Sequence, residues 1–402
     1  MIVVCERQNC CGCEACVNAC PRGGLTMKPN REGFAYPYVE QRLCMKCGCC
    51  SRVCPVLHRP QTFPVLDAYG AKHKNNSVKL KSSSGGMFTA LAEVILQENG
   101  VVFGAAFDKD WNVVHTCIDN LDDLDKLRRS KYVQSRIGKT YQQAKQFLDR
   151  GLKVLFTGTP CQIAGLRNYL GKEYENLLTA DIICHGVNSP AVWQKFLAES
   201  TRKNKIIGVD FRHKRFGWAS PFLKITYKDG SYLPYVPQVF SSLANIKNGY
   251  LVRHHYRLPF GVSNMYERPS CHNCHFKGVN NRMADFTMGD LWGNWPNVIT
   301  SQDRKLGISA LLVNTPKAQA FFEKISPSIT AQKTDAQKIA HFNAALEKST
   351  IAHPKRSEFF ARYERENVSK LIRSLSGEKP LVIRVFTKIF RRTCQKIKSI
   401  LD

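Results

Sequence analysis

Along this chain, runs in which apolar residues alternate with polar ones separate from runs in which they recur every three to four positions. The first period predicts strands and the second predicts helices. Leu25–Pro29 and residues 34–39 alternate on either side of Asn30-Arg31-Glu32-Gly33, which predicts a short hairpin with glycine supplying positive φ. A connector at residues 56–65, with Pro60, Pro64 and Pro55 at its edge, leads into a new domain. That domain opens with a short strand at 67–72. Met87, Leu91, Val94 and Ile95 then predict a helix over 87–99, which Gly100 stops. Val101–Phe107 and Val113–Ile118 alternate around residues 108–112 as a second hairpin, followed by a short charged helix at 121–129 and another helix at 138–150. Residues 153–157, 163–170 and 177–183 read as strand, helix and strand, a right-handed parallel crossover. A further strand near 284–288 runs into a glycine-punctuated loop, and from Lys317 onward the pattern is mainly helical and basic.

Cysteine spacing adds chemistry to this outline. Cys10, Cys13, Cys16 and Cys20 fall as C-x2-C-x2-C-x3-C followed by Pro21, and Cys44, Cys47, Cys50 and Cys54 repeat the run followed by Pro55. Bacterial two-cluster ferredoxins hold a pair of [4Fe–4S] clusters by this spacing, the fourth cysteine of each run crossing to the other cluster. The crossover assigns Cys10, Cys13, Cys16 and Cys54 to one cube and Cys20, Cys44, Cys47 and Cys50 to the other. Zinc sites use two pairs of ligands instead. Cys5, Cys11 and Cys49 lie outside the register and read as small packing residues. The chain has 402 residues, room for two or three domains, and 17 cysteines. Met1 to Asn9 is too short and polar for a secretory signal, and no apolar run approaches a membrane span. Cluster-spaced cysteines without such a signal lead us to expect reduced thiols in a cytoplasm. The net charge of +27 favours an acidic partner, and nucleic acid, anionic lipid and an acidic ferredoxin-like electron carrier all fit that sign.

Three further stretches carry candidate sites. Cys161 ends the strand at 153–157 through Gly158-Thr159-Pro160, and Cys184-His185-Gly186 ends the strand at 177–183. Carboxyl ends of neighbouring parallel strands lie side by side, where open α/β sheets bind ligands. Cys161 and Cys184 should therefore face one site, and the C-x-x-C pair Cys271 and Cys274 completes four thiolates. They could hold a third cube, a zinc ion or a redox pair. Ser84-Gly85-Gly86 before the helix at 87–99 offers either an anion cradle or an ordinary serine N-cap. Residues 210–218, with Phe211, Arg212, His213, Lys214 and Trp218, form a basic and aromatic cluster. Without a nucleic-acid module signature it reads as a substrate or carrier contact, or as a solvated face, in preference to a nucleic-acid surface. Apolar residues from Val382 to Leu401 recur at helical spacing among Arg and Lys. This composition suits peripheral contact of residues 378–402 with an anionic membrane, or docking on the protein's own core.

Taken together, the ordered blocks resemble the coenzyme F420 hydrogenase/dehydrogenase beta-subunit family, in a branch with a fused ferredoxin module. The resemblance rests on the doubled cysteine run, Ser84-Gly85-Gly86, Ser130-Lys131-Tyr132, Gly158 to Gln162, Cys184-His185-Gly186, Phe211-Arg212 through Trp218, Cys271 with Cys274, and Asp285 through Asp290. It implies FAD in the α/β domain, with Ser84, Gly85, Gly86, Lys131, Thr157 and Thr159 as contacts, and a third [4Fe–4S] cluster on Cys161, Cys184, Cys271 and Cys274. The expected fold is a two-cluster ferredoxin module (1–58), an α/β flavin- and iron–sulfur-binding domain in two parts (66–145 and 146–330), and a helical basic extension (331–402). The expected activity is that of an iron–sulfur flavoprotein oxidoreductase passing electrons from a ferredoxin-like donor to FAD and a substrate, with His185 as general acid or base. Relatives with a fused ferredoxin module imply a setting in cell-surface polysaccharide metabolism. The competing expectation is an electron-relay subunit of a larger complex with no small substrate of its own. A deazaflavin-dependent reductase is a further variant.

Overall fold

The computed structural model describes residues 4–201, 203–215, 217–219, 221–233, 263–295 and 300–376. The membrane-contact reading of residues 378–402 falls outside them.

An eight-stranded mixed sheet forms the centre. Its strands are β3 (Asp67–His73), β4 (Val101–Phe107), β5 (Val113–Ile118), β6 (Val154–Gly158), β7 (Leu177–Ile182), β11 (Phe286–Asp290), β12 (Ser309–Val313) and β13 (Ile329–Thr334), in the order β13-β3-β12-β11-β7-β6-β4-β5. The inner strands β4, β6, β7 and β11 are parallel and the outer pairings antiparallel. The strand–helix–strand unit at 154–182 therefore lies in the sheet as a parallel crossover through the helix Pro160–Leu170. Both parts of the α/β region, 66–145 and 146–330, contribute strands to this one sheet. One face carries the helix Met87–Gln97, whose Leu91 and Ile95 pack with Val102, Leu155 and Phe286. The other carries Tyr141, Ile163 and Leu166 against Phe103 and Phe156.

The N-terminal module holds the expected hairpin, β1 (Leu25–Pro29) with β2 (Ala35–Val39), antiparallel with Leu25 opposite Val39. Its turn closes through Gly33 at φ 83°, and Ser189 Oγ donates to Glu32 O at 2.5 Å. The module docks on the α/β body: the buried Glu14 carboxylate accepts from Arg136 Nε at 2.5 Å and Gly138 N at 3.1 Å.

Three differences from the sequence reading have simple causes. Residues 329–334, expected within a helical region, form the edge strand β13 on β3. Ile329, Thr330 and Thr334 are β-branched, and that strand covers an otherwise open edge. Helices do follow, at Ala336–Phe342, Arg356–Arg362 and Val368–Leu375. An unexpected helix, Asn76–Lys81, is capped by the Asn75 side chain accepting from Ser77 N at 2.8 Å. Residues 210–213 of the basic and aromatic cluster form the end of β8 (Ile206–His213), in a separate sheet with β9 (Phe222–Tyr227) and β10 (Tyr232–Leu233). Phe211, Arg212 and Trp218 are buried, His213 and Lys214 half-buried and Arg215 exposed, so the stretch is not a uniformly solvated face.

Candidate redox centre

The motif Gly158-Thr159-Pro160-Cys161-Gln162 turns strand β6 into a helix. Pro160 occupies the first helical position, where its missing N–H costs nothing. Gln162 Oε1 reaches back to accept from Thr159 N at 3.0 Å. Cys161 thus sits in the first helical turn, at the positive end of the dipole, with Thr159 Oγ1 3.1 Å from its sulfur. Cys184 leaves the neighbouring β7, and Cys271 lies in the 3-10 turn Pro269–Asn273 just before Cys274.

Cys161, Cys184, Cys271 and Cys274 wall one hollow, which Cys11 also borders. Burial pushes the Cys271 and Cys274 thiols up and that of Cys184 to about 12. The Lys277 ammonium, which donates to Cys184 O and Ala345 O, opposes that push at Cys184 and Cys274. Four half-buried sulfurs whose surroundings disfavour a lone thiolate suit a ligand set for an iron–sulfur cube, whose irons take up the thiolate charge.

A second hollow is walled by Cys10, Cys13, Cys16 and Cys54, the four sulfurs the crossover rule groups together. Cys5, outside the register, also lines it. Its thiol sits beside those of Cys10 and Cys54, and it is the first cause holding Cys10 down to about 6 and Cys54 to about 7. Cys20, Cys44 and Cys50 pack around Val4, Leu25 and Val39, while Cys47 is exposed, with Arg52 Nη1 donating to its carbonyl at 3.0 Å. The cysteines of the described residues are all free thiols.

Cys11, also read as packing, borders both hollows. Its sulfur lies next to those of Cys13 and Cys161. Its position beside Cys10 in the first run was the one signal in the sequence. Gly12 explains how the chain passes so close: it has φ 68°, and a Cβ there would stand 2.6 Å from Gln134 Nε2 and 2.8 Å from Arg268 Nη1. Gly12→Ala should therefore lower stability by about 2 kcal/mol through strain and overpacking, measured as urea unfolding of the anaerobic protein. An unchanged midpoint would show that Gln134 and Arg268 can move aside.

His185 shares the four-cysteine hollow. Its Nε2 lies 3.4 Å from Asn264 Oδ1 and 3.5 Å from Glu267, and burial lowers its pKa. Burial raises Glu267 to about 7, and Thr350 Oγ1 donates to it at 2.7 Å. Neither Glu267 nor Thr350 was signalled by any motif.

The other singled-out residues meet elsewhere. Gly86, at φ 95°, is itself the N-cap of the helix Met87–Gln97, with no side-chain cap, so the serines leave that N-terminus open. Ser82 Oγ instead donates to Val78 O at 2.8 Å, ending the preceding helix. Ser84 Oγ donates to Ile308 O at 2.7 Å and Gly85 N to Ser309 Oγ at 2.9 Å, fastening the loop to β12. Ser130 N donates to Ser83 Oγ at 2.8 Å, which joins the Ser130-Lys131-Tyr132 block to this loop. Lys131 Nζ caps a short helix by donating to Lys126 O, Leu127 O and Arg128 O, and burial lowers its pKa to about 7. Lys214 Nζ donates to Ser84 O at 2.9 Å. Beyond it, Arg212 pairs with Asp290, Trp218 Nε1 donates to Asp290 Oδ1 at 2.8 Å, and Trp218 stacks on Trp292 at 4.7 Å. Thr157, buried in β6, donates to Phe103 O at 2.9 Å. The candidate flavin contacts thus divide: Thr159 stands at Cys161, and the Ser84 loop forms a second focus with Ser130, Lys214 and Arg212.

Paired cysteine runs, a third cysteine-walled hollow and a mixed α/β sheet define an iron–sulfur electron-transfer protein. Residues 9–57 match the 4Fe-4S dicluster domain, and residues 151–339 match the model of the C terminus of the coenzyme F420 hydrogenase/dehydrogenase beta subunit. Residues 151–339 thus carry the C-terminal part of that beta-subunit family, and residues 9–57 carry the dicluster domain. The chain is 30% identical over 161 residues to a coenzyme F420-dependent sulfite reductase of Methanocaldococcus jannaschii, covering 39% of this chain and 24% of that protein. It is 24% identical over 176 residues to an F(420)H(2) dehydrogenase subunit of Methanosarcina mazei, covering 41% of this chain and 49% of the relative. These matches therefore span half or less of either relative. A chain of the F420-reducing [NiFe] hydrogenase complex from Methanosarcina barkeri superposes with a TM-score of 0.44 at 17% identity, over 71% of this chain and 92% of that one.

Proposed function

We propose that this chain is a flavin-dependent iron–sulfur oxidoreductase with three [4Fe–4S] cubes and one FAD. The observation that carries the reading is the placement of Cys11 between two hollows, one walled by Cys10, Cys13, Cys16 and Cys54, the other by Cys161, Cys184, Cys271 and Cys274. Cubes exchange single electrons and a flavin exchanges two, so the set would convert one-electron flow into hydride-type chemistry. Cys20, Cys44, Cys47 and Cys50 would hold the remaining cube. Exposed Cys47, in a stretch that also exposes Arg42, Lys46 and Arg52, would offer an acidic ferredoxin-like donor a landing point, and the net charge of +27 favours its approach. The open helix N-terminus at Gly86 suits the flavin's diphosphate. Lys131 would act by holding its helix beside the Ser84 loop, Thr157 and Thr159 by shaping the end of β6, and His185 by exchanging a proton at the cysteine-lined hollow. Free thiols in this number suit a reducing cytoplasm.

Anaerobically purified protein should carry about twelve iron atoms and one FAD per chain, and its flavin should bleach on reduction. Reduced ferredoxin, NAD(P)H and reduced coenzyme F420 are offered in turn as donors. Colourless protein containing zinc would defeat the reading. A relay subunit without its own substrate is the second reading, favoured because one relative is named as a subunit. Turnover with small acceptors, including those of cell-surface polysaccharide metabolism, supports the enzyme; turnover only with a partner complex supports the relay.

A further inference from the structure

Arg268 is 1% exposed and is bonded to Cys10, which lines one hollow, and to Cys271, which lines the other. Its Nε donates to Cys10 O at 2.7 Å, and one terminal nitrogen donates to Gln134 Oε1 at 2.8 Å. The other donates to Ala35 O at 3.0 Å and lies 3.6 Å from Cys10 Sγ. Its backbone carbonyl accepts from Cys271 N at 2.9 Å, so one residue touches a cysteine of each set. The guanidinium lies over the Tyr36 ring at 4.4 Å, which fixes its plane. Its acceptors among the described residues are two carbonyls, an amide and a sulfur, none of them a carboxylate.

Burying a full positive charge without a counter-ion is costly enough that folded proteins pair such charges. Here Gln134 takes the place a Glu would fill in an ordinary buried ion pair. The Cys10 sulfur is the remaining partner, and a thiolate-bound cube is an anion. Adding one electron makes that anion one charge more negative, and a fixed neighbouring cation stabilises the reduced form more than the oxidised form.

Resting on the cluster assignment above, we propose that Arg268 is a positioning residue that raises the reduction potential of the cube held by Cys10, Cys13, Cys16 and Cys54. That would make this cube the collecting point of the N-terminal pair, next to the Cys271 side of the molecule. The neutral Gln134 keeps the guanidinium charge available for the cube.

The test is a redox titration, followed by electron paramagnetic resonance, of the anaerobically reconstituted full chain. Arg268→Gln and Gln134→Glu should each lower the potential of one N-terminal cluster by at least a tenfold change in its one-electron equilibrium, about 59 mV. The cluster of Cys20, Cys44, Cys47 and Cys50 should stay within twofold, and Arg268→Lys should restore most of the shift. Gln134→Glu leaves Arg268 in place and neutralises it with a near-isosteric carboxylate, so it decides the matter should Arg268→Gln fail to load iron. If neither variant loads, the wild type decides: coincident potentials for the two N-terminal clusters overturn the proposal. Full iron with unmoved potentials also overturns it while leaving the cluster assignment intact. A wild-type chain that takes up no iron overturns the assignment itself.

Discussion

Cys271→Ala is expected to strip about four of about twelve iron atoms from the anaerobic protein while the signals of the N-terminal pair persist. The four sulfurs of this set come from three separate places, after β6, after β7 and in the turn Pro269–Asn273, so no local segment can rebuild the cage. Removing a group that merely orients a metal ligand costs roughly 10–100-fold. Loss of a ligand itself should slow flavin reduction by more than that. The N-terminal cysteines are held by their own hairpin and by Glu14, at some distance along the chain from Cys271. Iron analysis with spin quantitation checks both halves of the expectation. Full iron content in Cys271→Ala would show that another group serves in its place, and Cys11, on the same wall, would be the one to substitute next.

Arg282→Met is expected to destabilise the fold by about 3–5 kcal/mol. Arg282 reaches Asp181 at 2.7 Å in the middle of the sheet, with the two side chains 2% and 0% exposed. It also donates to Thr287 Oγ1 at 3.1 Å, tying β7 to β11. Burial is the larger influence on Asp181 and already raises its pKa, while the Arg282 charge works against that rise. Without the guanidinium the carboxyl pKa climbs further, so the folded state binds a proton that the unfolded state releases above about pH 4. Stability of the variant should therefore fall as pH rises from that point through the raised folded pKa, and recover as pH is lowered. Chemical unfolding of wild type and variant at several pH values measures it. An Asp181→Asn, Arg282→Met double variant should regain part of the loss, because no buried charge is then left alone. A single variant as stable as wild type at neutral pH would mean that Asp181 is neutral already.

Local rules reached a good part of this molecule. The hairpin at Leu25–Pro29, the helix after Gly86 and the crossover from β6 to β7 follow from alternation, helical spacing and turn residues, all of which act over a few neighbours. The crossover logic also places Cys161 and Cys184 at adjacent strand ends. The same rules missed the edge strand at 329–334 and the burial of Phe211, Arg212 and Trp218, because both are made by what lies beside them. Lys131, taken from a motif as a cofactor contact, turns out to satisfy three backbone carbonyls. A lysine ammonium serves either purpose, and the letters do not distinguish them.

By itself the sequence determined the ligand chemistry: which sulfurs come in runs, how a run bends around a cube, and which short elements form. Those properties depend on residues within one or two turns of each other. Only the tertiary structure decided that Cys11 lies between two hollows, that Arg268 spans from Cys10 to Cys271, and that Gln134 stands where a carboxylate would otherwise be. The contacts of Arg268 with Cys10 and Gln134, and of Cys11 with Cys161, join residues more than a hundred positions apart. Burial then gives an uncompensated charge its strength, and burial is a property of the whole packed chain.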